Sequence, residues 1–477
     1  MRDKKTFYLH VIIMLCIMFC GWIIPPFHAS ITPLGMRAIG IFFGVIYGWM
    51  MLDLLLPSLV GIFAVGWSGF YSVSGALSTA WGGNTTIQFA VFLMVIDYMN
   101  TSGMSDWMAR WAINLKFAQK NVWNLILVIY YIGFFIACMT NGVLSNVVLW
   151  GFCSKIFEEC GITKEDKLPT YFLSGLLITA MIGSSLFPWQ TVPLAAMNGY
   201  LSITGQALDP AWFFACRFPC AFLFVFAVWA FMRWVIRPDV SKLQNGMNNV
   251  REVVTVRAIR VPELVGFVAV AVLLLGVCVP TFLPDSLLKS VLKALGATGI
   301  GSLIVIVFGI LHYEGKPLMD IAATFRRLNW TLLAVVACTI PLCNFIEADE
   351  CGIVAAITSV LGPTLNHLNV VVYCAFVVIF ITLVTQVTHN VVLCAIMTPI
   401  LIPISTMVGI NPAVVTAMII SPCMTAVMMP AASANAAFIY GLTDWVDNKH
   451  MLKCNGMIVL MSIVFTLCFL PYYLFIS

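Results

Sequence analysis

The sequence predicts an all-α polytopic membrane protein of about eleven transmembrane helices, arranged as two inverted-topology repeats that each carry a re-entrant hairpin. Three observations predict it. The chain of 477 residues is 61% hydrophobic and 9% charged, with a mean hydropathy of +1.01, and runs of about twenty apolar residues are long enough to span a bilayer. Two short polar stretches, Thr140–Leu149 and Thr385–Leu393, stand in the middle of apolar sequence, and Ser145-Asn146-Val147-Val148-Leu149 and His389-Asn390-Val391-Val392-Leu393 differ only at their first residue. The basic residues also fall on one side of the resulting layout.

The first unit is residues 1–30. Its apolar run, 7–26, follows Arg2, Lys4 and Lys5. It exceeds a secretory h-region and no small-x-small cleavage site follows, so it is read as a retained span.

Residues 31–236 form the first repeat. Hydropathy places spans at 33–52, 54–70 and 84–101. Asn100-Thr101-Ser102-Gly103 then interrupts, and Met104, Trp107, Met108, Trp111 and Leu115 recur at helical spacing among Asp106, Arg110 and Asn114, an amphipathic helix suited to the membrane interface. The apolar segment 121–158 has its polar tip at the centre and is too short for two full spans, so it is read as a re-entrant hairpin. A broken helix at 169–200 is interrupted by Gly183-Ser184-Ser185 and Pro188, and a closing span covers 211–236.

A basic linker at 237–260 is assigned to the cytoplasm, and residues 261–477 repeat the pattern. Spans are expected at 262–283, 296–312 and 329–347, followed by a short helix at 350–362 and a hairpin at 367–407. A second broken helix, 411–446, is interrupted at Pro430-Ala431-Ala432-Ser433-Ala434-Asn435, and a last span covers 455–476.

With the N-terminus in the cytoplasm, each span changes side and each hairpin returns to its own. Of the 24 Lys and Arg, all but Arg37, Arg217, Lys289 and Lys293 then lie on cytoplasmic segments, the bias of an inner-membrane protein. The C-terminus falls outside. One hairpin enters from each face, so the two tips are expected to meet near the midplane.

Neither tip has Lys, Arg or a carboxylate beside it in sequence. The chemistry left is backbone. Second arms starting at about Val147 and Val391 point two helix N-termini at the site, which favours a carboxylate or sulfate-like anion. First arms ending at Thr140 and Thr385 expose carbonyls suited to Na⁺, assisted by Asn141, Ser145 and Asn390. The simpler alternative is that Asn146 and Asn390 cap half-helices and hold the hairpins to their neighbours.

On these residues the chain resembles the divalent anion–sodium symporters, the dicarboxylate, citrate and sulfate carriers. Their hairpin tips carry a Ser-Asn-Thr motif with a polar residue four places earlier. Here Asn141 and Thr385 stand at the earlier positions, and Ser145-Asn146-Val147 and His389-Asn390-Val391 at the motifs. The resemblance extends from Ile31-Thr32-Pro33-Leu34-Gly35 to Asn435. It implies substrate contacts from Ser145, Asn146, Val147, His389, Asn390, Val391, Pro188, Pro430 and Ser433. It implies sodium sites at Thr140, Asn141, Ser145, Asn146, Gly183, Thr385, His389, Asn390 and Ala431. It also implies a homodimer working as an elevator, with hairpins and broken helices moving against a scaffold. Both motif threonines are valines here and the second motif serine is His389, so the pocket is less polar and a larger organic anion becomes an alternative to a small dicarboxylate.

The imidazole of His389 either accepts a proton, to pair with the anion or to replace one Na⁺ by H⁺, or stays neutral against a nearby carbonyl. Asp97, Glu347, Asp349 and Glu350 read as interfacial or inter-helix carboxylates, Asp53 as a solvated or capping group, and Arg37 and Arg217 as cations that snorkel. An enzyme would need a nucleophile with a base or clustered ligands. No H-E-x-x-H or G-x-S-x-G occurs, and no cofactor, transition metal or nucleic acid is expected. The sixteen cysteines lie mostly in apolar segments without a C-x-x-C pair and read as small buried side chains. The stronger rival is a sodium/proton antiporter on a related fold. The partners expected are a small anion and the lipid bilayer.

Overall fold

The computed structural model describes residues 4–246, 257–353, 355–356, 359, 369–429 and 432–476. The chain opens with α1 (Lys4–Cys20), α2 (Pro33–Met51) and α3 (Leu55–Trp67), matching the first three expected spans. Thr32 starts α2 by accepting from the Gly35 amide at 3.1 Å, and Asp53 accepts from the Leu56 amide at 2.8 Å, a capping role as expected. A short helix, α4 (Val73–Gly82), lies where none was expected. Next come α5 (Asn84–Thr101) and the amphipathic α6 (Met104–Ile113). Gly103 between them adopts φ 85°, a left-handed turn that glycine takes without steric cost.

The first hairpin is α7 (Val122–Met139) and α8 (Gly142–Glu159), joined by Thr140 and Asn141 alone. The broken helix follows as α9 (Leu168–Gly183) and α10 (Thr191–Thr204), and then α11 (Pro210–Phe231) continues through a wider π turn to Ile236. The linker contains α12 (Ser241–Asn245).

After it come α13 (Val261–Phe282) and α14 (Leu287–Ile310), the latter kinked at Gly296, where φ is 56°. This helix starts earlier than the expected span at 296. Ser286 caps it, and its Lys289 and Lys293 lower local hydropathy without breaking the helix. A short α15 (Ile321–Arg327) precedes α16 (Trp330–Glu347). The short helix expected at 350–362 lies partly outside the described residues.

The second hairpin is α17 (Val370–Val384) and α18 (Asn390–Val408). The second broken helix is α19 (Pro412–Cys423) and α20 (Ala434–Tyr440), so its break begins at Met424 rather than at Pro430. The chain closes with α21 (Asn448–Cys468) and α22 (Leu470–Phe475). Among the described residues, six helices are long and apolar enough to cross a membrane: α7, α11, α13, α14, α18 and α21.

Two apolar cores organise these helices. The smaller joins α1–α4 to α16 through Met14, Met18, Ile41, Val45, Ile62, Val65, Ala76, Val335 and Phe345. The larger contains both hairpins, α9–α11, α19–α21, and also α5, α6, α13 and α14. Val392 of α18 is buried in the smaller core, so the second hairpin touches both.

Candidate functional site

The break between α7 and α8 is a two-residue turn because the end of each arm finds its partners locally. The Thr140 hydroxyl donates back to the Ile136 carbonyl at 2.7 Å, and the Asn141 side chain accepts from the Leu144 amide at 2.9 Å, capping α8. The second arm therefore starts at Gly142, not near Val147. Asn146 lies inside α8 and is not its cap. At the second tip α18 starts at Asn390, with His389 as the preceding residue and no side-chain cap from it. Asn390 lies within hydrogen-bonding reach of the Val391 amide, 2.9 Å away.

The two tips line one cavity of about 630 Å³. Asn141, Gly142 and Val143 come from the first tip, and His389, Asn390 and Val391 from the second. Ser184, Gln190, Thr191 and Val192 come from the first break, and Met424, Ser433, Ala434 and Asn435 from the second. Four helices of ordinary length begin at this wall: α8, α10, α16 and α18, with Asn329 and Thr331 representing α16. The sequence pointed to two such starts. Each brings unpaired amides and the positive end of its dipole, so the wall favours an anion more strongly than a pair of tips would.

Of the residues expected to bind substrate, His389, Asn390, Val391 and Ser433 line the cavity. Ser145, Asn146, Val147 and Pro188 do not. Ser145 is buried and donates its hydroxyl to the Gly133 carbonyl on the facing arm at 2.7 Å, which pins the two arms together. Asn146 is buried and donates to Asn435 at 3.2 Å, while its own Oδ1 is buried without a partner. Val147 is 42% exposed and lies a helical turn beyond Val143. Pro188 is buried inside the first break, whose cavity-lining residues are Ser184 and Gln190. Pro430 and Ala431 lie outside the described residues.

At the first tip the carbonyls expected to hold Na⁺ accept from a side chain. The Gln190 amide donates to the Cys138 carbonyl at 2.8 Å and to that of Thr140 at 3.1 Å. At the other tip the Gln386 amide donates to the carbonyls of Thr382 at 2.7 Å and Thr425 at 2.8 Å, and its Oε1 accepts from the Val427 and Met428 amides. Thr385 donates to the Cys423 carbonyl at 3.1 Å. The two glutamines thus tie each hairpin tip to a broken helix. Gly183 serves packing, since a Cβ there would lie 2.3 Å from the Phe134 carbonyl oxygen.

Charged groups sit where the sequence offered no sign of them. Arg217 does not snorkel: it is 0% exposed. Its guanidinium donates to Ser185 at 2.8 Å, to Tyr473 at 3.2 Å and to Ser421, joining α11 to the first break, α19 and α22. Asp97 and Arg327 line the cavity and form an ion pair at 2.7 Å. Asn100 lines it too, with its Oδ1 buried and unpartnered. The expected span at 329–347 put Asn329 at the start of a helix, but a pairing of Asp97 with Arg327, so far apart in the chain, has no local signature. His389 carries a buried Nδ1 without a partner.

A family model described as "Citrate transporter", CitMHS, matches residues 41–419. Two solved structures share the fold. The YdaH transporter of Alcanivorax borkumensis, whose crystal structure is described as revealing an unusual topology, aligns with a TM-score of 0.58 at 14% identity, covering 98% of this chain and 99% of that one. MtrF of Neisseria gonorrhoeae, described as illuminating a class of antimetabolite efflux pumps, aligns with a TM-score of 0.61 at 13% identity, covering 98% and 95%. No curated protein matches the sequence.

Proposed function

The chain belongs to the CitMHS citrate transporter family, and from its site we propose a secondary active transporter of a small organic anion, with di- and tricarboxylates favoured. Membership makes it a multi-pass membrane transporter, not an enzyme, and bears out the resemblance to citrate carriers. The observation that carries the anion reading is the single cavity on which both hairpin tips and four helix starts converge. Oriented amides and helix dipoles hold a carboxylate without a permanent cation beside it. Val391 and Met424 on the same wall leave room for an organic body.

In this proposal the hairpins are re-entrant, the repeats are inverted, and the N-terminus is cytoplasmic in the cell membrane. The hairpins and broken helices move as one body against a scaffold centred on α1–α4 and α16, in a homodimer. The smaller apolar core, built mainly from α1–α4 and α16, supports such a division.

The coupling ion we favour is the proton. The Gln190 amide donates to the Thr140 carbonyl at which Na⁺ was expected, and His389 presents an unpartnered ring nitrogen at the cavity. A sodium-coupled reading rests on Asn146, whose buried Oδ1 lacks a partner and has the character of a cation ligand. The test is uptake of labelled succinate, citrate and sulfate into proteoliposomes under an inward Na⁺ gradient or a proton gradient. Proton-driven accumulation without Na⁺ supports the favoured reading. A strict Na⁺ requirement selects the second. Sodium-induced proton movement without anion uptake rejects both in favour of an antiporter.

A further inference from the structure

The ion pair of Asp97 and Arg327 lies on the wall of the proposed transport cavity rather than on a plain surface. Arg327 is the last residue of α15, and Leu328 and Asn329, which lead into α16, line the same wall. Its guanidinium meets the Asp97 carboxylate through two nitrogens, with Nε 3.1 Å from Oδ1 and Nη2 2.7 Å from Oδ2. That is the forked geometry with which arginine recognises any carboxylate. The Asp97 side chain is 15% exposed and that of Arg327 is 48% exposed, so the arginine is open to a second ligand.

We propose that Arg327 is a substrate-binding residue for a carboxylate anion, and that Asp97 is a built-in competitor holding the guanidinium until substrate replaces it. Exchanging one carboxylate for another keeps the arginine paired throughout, and the cost of the exchange falls on the displaced Asp97 carboxylate. An anion with two or three carboxylates engages Arg327 with one and the helix starts at the hairpin tips with another. A monocarboxylate has one of these contacts at a time, so the arrangement selects for anions with several carboxylates. Asn100, one turn along α5, offers its unpartnered Oδ1 to a substrate hydroxyl.

This inference rests on the transport reading above, and the experiment separates the two. Equilibrium binding of labelled citrate is measured on the purified full chain and on Asp97→Asn, Arg327→Gln and Arg327→Lys. Removing the competitor tightens binding about tenfold, Arg327→Gln weakens it by at least about tenfold, and Arg327→Lys falls between wild type and Arg327→Gln. A second arm needs no substitution: an arginine-selective dicarbonyl labels Arg327 in the wild-type chain, and citrate protects it, read by mass spectrometry. The inference is overturned if Asp97→Asn binds no more tightly than wild type, if Arg327→Gln binds as well as wild type, or if citrate leaves Arg327 labelling unchanged. Wild-type protein that binds none of citrate, succinate or sulfate overturns the transport reading as well.

Discussion

The side-chain amide of Gln190 donates to the carbonyl of Thr140 at 3.1 Å, joining the start of α10 to the last residue of the first hairpin arm. Gln386 makes the converse link from the second hairpin to the second break. A side-chain N–H donor therefore meets the Thr140 carbonyl at the first tip and the Thr382 carbonyl close to the second. Replacing Na⁺ by choline on both sides is expected to leave anion uptake by the wild type unchanged. Gln386→Ala strands the Val427 and Met428 amides and the Thr382 and Thr425 carbonyls, so it lowers thermal stability by about 1–3 kcal/mol. A wild-type Tm in detergent that rises with NaCl but not with choline chloride would contradict this assignment.

His389 is the ionisable side chain at the second tip. His389→Ser restores the hydroxyl of the first tip's motif and removes the imidazole there. We expect citrate uptake by this variant to lose its dependence on pH and on a proton gradient while downhill exchange persists. A pH profile identical to that of the wild type would exclude His389 as the proton site.

Arg217 is a buried guanidinium whose partners are hydroxyls and a carbonyl. Arg217→Ala empties a large buried site and unties the first break from α19, with an expected cost of about 2–5 kcal/mol. Arg217→Lys keeps the charge but not the fork, and recovers only part of this loss. Thermal unfolding in detergent checks both.

Two glycines give a matched pair. Gly183→Ala places a Cβ 2.3 Å from the Phe134 carbonyl oxygen, forcing α9 from α7 at a cost of about 1–3 kcal/mol and displacing the first tip. Around Gly151, on α8, there is open space for a Cβ, and Gly151→Ala should stabilise that helix by about 0.5–1 kcal/mol. Equal Tm changes would show that helix propensity, not packing, governs both sites.

Outside the membrane-spanning segments, a hydrogen bond from Lys242, with a second from the Thr163 amide, holds the Asp166 carboxyl below the ordinary carboxylate range. Its stabilisation is present above the unfolded value of about 3.9 and is lost as pH falls through the lower folded value. The Lys242 side chain is 53% exposed, so the effect stays under about 1 kcal/mol. The Tm difference between wild type and Asp166→Asn should vanish at the acid end of a pH series.

Hydropathy and punctuation carried most of the helix plan. The boundaries of α2, α3, α5, α7, α8 and α9 follow apolar runs closed by polar or capping residues, because bilayer thickness sets span length and local side chains satisfy the helix ends. Asn141, His389 and Asn390 were legible as cavity residues because polar groups deep in apolar sequence need a cavity or a partner. Val391 and Ser433 came from the family resemblance rather than from polarity. The small helices α4 and α15 were not legible, since neither is long or strongly periodic. Nor could local sequence tell that Ser145 faces the opposite arm, or that Asn146 meets Asn435.

By itself, then, the sequence determined an all-helical membrane chain with two polar interruptions and an anion-favouring backbone. Tertiary packing decided the rest: which carbonyls Gln190 and Gln386 occupy, where Arg217 is buried, and that Asp97 and Arg327 meet on the cavity wall. Hydrophobic length and capping are properties of neighbours along the chain. Hydrogen-bond partners and ion pairs between distant segments exist only once those segments have packed, so no local pattern encodes them.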